Sequence, residues 1–214
     1  MSLKWKLAQA IEVKWWNHYL RNKDKSTYYS WKKSYWLGFL ETIGYKLPDH
    51  PIKIMDAGSG PAGIFTILDR YEVVAVDPLL EKYKTQLGLF DPADYPYARF
   101  VTSTIESIQM DQQFDTIFCL NCINHVNSIQ SSLRNLFNAL KPGGKLILST
   151  DAHNSNLLKS IFQIIPGDVL HPHQYNIEAY QQFVNNAGFQ INKTMKIKSE
   201  IIFGYWVIKA YRPH

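Results

Sequence analysis

Asp56, Gly58, Gly60 and Gly63 stand in the stretch Ile54-Met55-Asp56-Ala57-Gly58-Ser59-Gly60-Pro61-Ala62-Gly63, and Asp77 follows Asp56 by 21 residues. Glycines at this spacing permit a tight turn and let a ligand lie against the backbone. Amides at the start of a following helix favour a carboxylate or phosphate. A carboxylate at the Asp77 position can accept both hydroxyls of a ribose. Together they point to a nucleoside-bearing ligand; the plainer alternative is a structural turn with a solvated aspartate. The loop spacing suits NAD equally, so the nucleoside stays open at this point.

Three histidines are candidate proton acceptors: His125, and the pair His171 and His173 around Pro172. Imidazole titrates near neutrality and suits that role, although a capping or hydrogen-bonded histidine is the blander expectation for each. Cys119-x-x-Cys122-x-x-His125 has the look of a zinc or redox site. No second ligand pair follows it, so both cysteines are expected to be small buried side chains and no metal site is expected.

Elements that could position these groups follow from periodicity. In residues 1–50, Ile11, Trp15, His18 and Tyr19 mark one face of a helix. A second helix is expected over 26–43, capped by Ser26 or Thr27 and stopped by Gly44, with an apolar stripe of Trp31, Tyr35, Trp36 and Phe39. Pro48 and Pro51 end this leader. Short apolar runs at 52–56, 73–77, 99–102, 116–120, 144–150, 189–195 and 201–211 read as strands. Helices are expected between them at 62–68, 79–83, 128–140 and 177–187. This alternation means a parallel sheet with helices on both faces.

Asp56 before the loop, Val-Ala-Val-Asp77-Pro78, Phe114-Asp115-Thr-Ile-Phe-Cys-Leu-Asn121-Cys-Ile-Asn124-His125-Val126 and Ala139-Leu-Lys-Pro-Gly-Gly-Lys-Leu-Ile-Leu148 occur in that order. Together they resemble the class I S-adenosylmethionine-dependent methyltransferases, chiefly the group that modifies small molecules. The resemblance is best over residues 52–150. It implies a doubly wound, Rossmann-like α/β fold with a seven-stranded, mostly parallel sheet, 201–211 being the antiparallel strand. By the family pattern, Asp56 and the Gly58-Ser59-Gly60 backbone would hold the methionine end of the cofactor. Asp77 would bind the ribose, Pro78-Leu79 would line one side of the adenine, and Leu120-Asn121-Cys122 would lie beneath the sulfonium. Relatives often carry an aspartate for the adenine amino group where this chain has Thr104, followed by Ile105.

The 214 residues carry a net charge of +5. All of it lies in residues 1–50, with nine Lys/Arg against four Asp/Glu and five of the six tryptophans; residues 51–214 are neutral. We therefore divide the chain into an N-terminal helical cap, 1–50, and a cofactor-binding domain, 51–214. Tyr28, Tyr29, Trp31 and Tyr35 would form a lid, as N-terminal helices do in similar methyltransferases, with simple packing of the two helices on the body as the alternative. Tyr28, Trp31 and Tyr35 would contact substrate together with Asn121 and His125. The neutral body and the absence of an Asn/Asp-Pro-Pro-Tyr/Phe signature argue against a nucleic-acid partner. No apolar run reaches the ~20 residues of a membrane span. Two cysteines and no signal peptide suggest the cytoplasm. The expected activity is methyl transfer to a small organic acceptor. The alternatives are a regulatory module that binds cofactor without turnover, an RNA methyltransferase and an NAD-dependent dehydrogenase.

Overall fold

The computed structural model describes residues 3–153, 175–200 and 203–214, and for residues 3–8 and 10 the backbone alone. Helices α1 (Leu3–Leu20) and α2 (Lys25–Thr42) precede a sheet built from β1 (Lys53–Ala57), β2 (Glu72–Val76), β3 (Ala98–Val101), β4 (Phe114–Leu120), β5 (Leu140–His153), β6 (Gln190–Ser199) and β7 (Phe203–Tyr211). Helices α3 (Leu80–Gln86), α4 (Ile129–Ala139) and α5 (Ile177–Asn186) lie between strands. The strand order is β3-β2-β1-β4-β5-β7-β6. All pairings are parallel except those of β7, which runs antiparallel to β5 and β6. The doubly wound sheet and its one antiparallel strand therefore match the expectation.

The sheet separates two apolar clusters because successive side chains of a strand point to opposite faces. Ile54, Val73, Phe118, Ile147 and Val207 face the side covered by α2. Their chain neighbours Met55, Val74, Ile117, Leu148 and Ile208 face α4 and α5. Burial on both faces explains the near-continuous apolar runs of β1, β2 and β4.

Three local expectations need correction. The crossover after β1 is no α-helix over 62–68 but a single 3-10 turn, Ile64–Ile67. Pro61 offers no N–H, and only a few residues remain before β2. Helix α2 covers this gap instead: the Tyr29 hydroxyl donates to Pro61 O (2.8 Å) and Trp36 Nε1 to Ala62 O (3.0 Å). The cap of α2 is Asp24, not Ser26 or Thr27; its Oδ1 accepts from Thr27 N at 2.9 Å and from the Ser26 and Thr27 hydroxyls. Those three bonds favour the ionised carboxylate and lower its pKa to about 2, the Ser26 bond most. Finally, the inner face of α1 is Val13, Trp16 and Leu20, while Trp15 and His18 are exposed. Two adjacent tryptophans make neighbouring stripes of α1 look alike in sequence.

Candidate functional site

The strand order reverses between β1 and β4, and loops leaving the carboxyl ends of β1 to β5 surround a cavity of about 870 Å³. Open α/β sheets bind ligands at this reversal. Helices α1 and α2 close the cavity from above with Trp15, Trp16, Lys32, Tyr35 and Trp36.

The floor is the glycine loop. Gly58 and Gly60 have φ of +72° and +57°, which side chains rarely adopt. Gly58 N and Ser59 N both donate to Val76 O at the end of β2, at 2.8 and 3.1 Å, and Gly60 N donates to Asp77 Oδ2 at 2.9 Å. Asp56 lies beneath the loop rather than on the cavity wall. Its Oδ2 accepts from Phe65 N at 3.0 Å, with Ile64 N as a second donor, and a Cβ on Gly63 would stand 2.3 Å from it. The amides expected to receive a ligand anion are thus held by the chain's own carboxylate. Burial raises the Asp56 pKa to about 7 against the pull of Phe65, Ile64 and Lys32.

Asp77, Pro78, Thr104 and Ile105 form one end of the cavity. Asp77 Oδ1 accepts from Leu79 N at 2.8 Å, so backbone amides fix both of its oxygens. Burial and then the Glu12 carboxylate raise its pKa to about 7. Thr104 begins the 3-10 turn Ile105–Ser107, and its hydroxyl donates to Ser107 Oγ at 2.9 Å. The Ile105 carbonyl accepts from Asn135 Nδ2 at 3.0 Å.

Leu120, Asn121 and Cys122 form the middle of the wall. Asn121 has a left-handed φ of +52°, and its amide donates to both Ser149 O (2.9 Å) and Ser149 Oγ (3.0 Å). Cys122 Sγ is 3.1 Å from Cys119 Sγ and donates to Ala57 O at 3.0 Å. Both thiols are buried, and the described residues contain no metal-binding cluster. Beyond this loop, His125, Asp151, Phe203, Tyr205 and Tyr35 form the other end.

Among the substrate candidates, Tyr35, Asn121 and His125 line the cavity. Tyr28 is buried among the rings of Tyr19, Tyr29 and Trp31, and Trp31 lies half-exposed outside the cavity. His171 and His173 lie outside the described residues. Sequence reasoning missed Glu12, Trp16, Lys32, Trp36, Asp151 and Tyr205. Lys32 is the most telling omission, because a lysine in a basic leader looks like a solvated one. Burial lowers its pKa to about 8, with Asp56 pulling the other way.

A family model described as a methyltransferase domain matches residues 10–194. The chain belongs to that family. The ubiquinone biosynthesis O-methyltransferase of Rickettsia bellii (strain OSU 85-389) is 32% identical to this methyltransferase-family chain over 101 residues, covering 46% of it and 42% of the relative. This chain thus spans less than half of that relative's length. Its counterpart in Rickettsia typhi is 27% identical over 146 residues, covering 61% and 59%. Among solved structures, the Burkholderia thailandensis 1,6-didemethyltoxoflavin-N1-methyltransferase, bound to 1,6-didemethyltoxoflavin and S-adenosylhomocysteine, superposes with a TM-score of 0.62. It has 16% identity, with 100% of this chain and 92% of that one covered. The YcgJ protein of Bacillus subtilis superposes with a TM-score of 0.68 at 13% identity, covering 85% and 99%. At these identities the structures show the shared methyltransferase fold alone.

Proposed function

We propose that this chain transfers the methyl group of S-adenosylmethionine to a small organic acceptor. The observation that carries this reading is the carboxylate of Asp56 under the glycine loop. A dinucleotide would need its pyrophosphate at the amides Asp56 occupies, beside a buried carboxyl group. A ligand bearing an ammonium and a sulfonium meets no such repulsion. The loop's glycines, Asp77 and a cavity of about 870 Å³ fit that ligand.

In this reading Asp77 accepts from the ribose and Pro78, Thr104 and Ile105 flank the adenine. Gly58, Ser59 and Gly60 lie along the methionine portion, and Lys32 from α2 pairs with its carboxylate. Asp56 acts through the loop, holding it from below. When bound, S-adenosylmethionine supplies an activated methyl group. The protein has then to align the acceptor and exclude water. Leu120, Asn121 and Cys122 set the wall beside the methyl group, and Tyr35, Trp36 and Tyr205 make a largely aromatic surround for the acceptor. His125 is the proton acceptor among the described residues for a hydroxyl nucleophile; imidazole can hold that proton near neutral pH. Helices α1 and α2 act as the lid, and residues 51–214 as the cofactor-binding domain. The name of the Rickettsia relatives supports an oxygen acceptor on a ring-bearing molecule.

Calorimetric titration with S-adenosylhomocysteine and with NADH, followed by a methyl-release assay on phenolic and heteroaromatic acceptors, tests this. Binding of S-adenosylhomocysteine but not NADH, with turnover on one acceptor, is expected. Binding of NADH alone would overturn the reading, and tight binding without turnover on any acceptor would leave a regulatory module instead.

A further inference from the structure

We propose that Glu12 is a second carboxylate for the ribose diol, so that the nucleoside is gripped between Asp77 from the sheet and Glu12 from α1. The inference rests on the cofactor reading above.

Glu12 and Asp77 line the same end of the cavity, one from the roof and one from the floor. Helix α1 is seated there by Val13, Trp16 and Leu20, and the Trp16 ring comes within 3.9 Å of where a Cβ on Gly60 would be. Tyr83 of α3, itself buried, donates its hydroxyl to Glu12 Oε1 at 3.1 Å. This aims the Glu12 carboxylate at the nucleoside end instead of leaving it on a solvated helix face. The Trp16 and Tyr83 rings meet edge to face at 6.4 Å and support the same arrangement.

Two carboxylates converging on one pocket repel each other, and the effect is felt: Glu12 is the second cause, after burial, of the raised Asp77 pKa. A ligand that presents hydrogen-bond donors to both groups offsets this cost. A vicinal cis-diol does so with two hydroxyls pointing the same way, and a carboxylate accepts at both of its oxygens. Asp77 already accepts Gly60 N and Leu79 N, one on each oxygen, so a second carboxylate lets the two hydroxyls be shared. With Glu12 sharing the diol, the cofactor ties the already seated α1 to the end of β2 beneath the roof made by Trp15 and Trp16.

The test is a set of titrations of the whole chain with S-adenosylhomocysteine and its 2′-deoxy and 3′-deoxy forms. Wild type, Glu12→Gln and Tyr83→Phe are compared, with circular dichroism confirming that each variant folds. Glu12→Gln is expected to weaken S-adenosylhomocysteine about tenfold, the scale of one charge-assisted hydrogen bond. The difference from wild type should vanish for the deoxy form that lacks the hydroxyl Glu12 takes. Tyr83→Phe should lose less, in the same pattern. Equal affinity of Glu12→Gln and wild type would overturn the proposal, as would an equal loss for all three ligands, which would mark general packing by α1. Failure of wild type to bind S-adenosylhomocysteine at all would instead overturn the cofactor reading on which the proposal stands.

Discussion

The hydroxyl of Tyr205 lies 2.7 Å from that of Ser149, and Ser149 receives the amide of Asn121 on both its side-chain and its main-chain oxygen. A strand two positions away in the sheet thereby steadies the strained residue at the centre of the cavity wall. Left-handed backbone at a non-glycine residue costs about 1 kcal/mol or more and persists only where the surroundings enforce it. Tyr205→Phe should lower stability by about 1 kcal/mol and reduce turnover severalfold, with S-adenosylhomocysteine affinity little changed. Urea unfolding and steady-state kinetics check the two halves. An affinity loss as large as the turnover loss would place Tyr205 in cofactor binding instead.

Lys32→Met should weaken S-adenosylhomocysteine about tenfold, whereas Lys33→Met, on an exposed position of the same helix, should change nothing. Titration of both variants decides whether the cation acts at the cavity or only adds to the positive leader.

The pH dependence has a direction. Asp77 titrates near 7, held up first by burial and then by Glu12, and it accepts hydrogen bonds best when ionised. Lys32 loses its charge near 8 because burial disfavours the ammonium. Affinity for S-adenosylhomocysteine should therefore rise through about pH 7 and fall above about pH 8, and Lys32→Met should remove the upper limb. Unfolding runs the other way. The folded pKa values of Asp56 and Asp77 lie above the ordinary 3.8, so their contribution to stability is full below that value and is lost as pH rises through about 7. Thermal melts of the ligand-free protein between pH 4 and 8 should show this decline, and Asp56→Asn should flatten it.

Two glycines should respond oppositely to alanine. At Gly58 a Cβ would stand 2.4 Å from Cys122 Cβ, on a backbone with φ of +72°. Gly58→Ala should cost more than about 2 kcal/mol and abolish cofactor binding. Gly38 sits inside α2 with nothing within 4 Å, and Gly38→Ala should stabilise by about 0.5–1 kcal/mol. Denaturant midpoints measure both.

The sheet was legible because β1, β2 and β4 are apolar on both faces and end at or beside residues with their own chemistry: Asp56, Asp77 and Asn121. The glycine loop, Pro78, Thr104, Ile105 and Leu120 to Cys122 all come to the cavity because loops at the carboxyl ends of parallel strands must. What the sequence concealed lies mainly in contacts between distant segments. Nothing near Asp56 announces that its carboxylate turns down to Ile64 and Phe65 instead of up to a ligand. Tyr28, Trp31 and Tyr35 look interchangeable on a helical wheel, yet the docking of Tyr29 and Trp36 on the loop carbonyls turns only Tyr35 toward the cavity. Glu12 and Tyr205 lie far from any motif, and only the fold brings them to it.

Strand β7 is threaded between β5 and β6, and within the described sheet β6 pairs with no other strand. While the protein is being synthesised, β5 must therefore present an open edge until Tyr211 has emerged from the ribosome. Strand β7 then closes two ladders in one step. An arrest shortly before Phe203 would leave one edge of the strongly apolar β5 without a partner, the kind of edge that pairs with other chains. Aggregation is thus most favoured in the interval after β5 and before β7, when the glycine loop already has its sequence neighbours but the sheet that supports the Asn121 bend is incomplete.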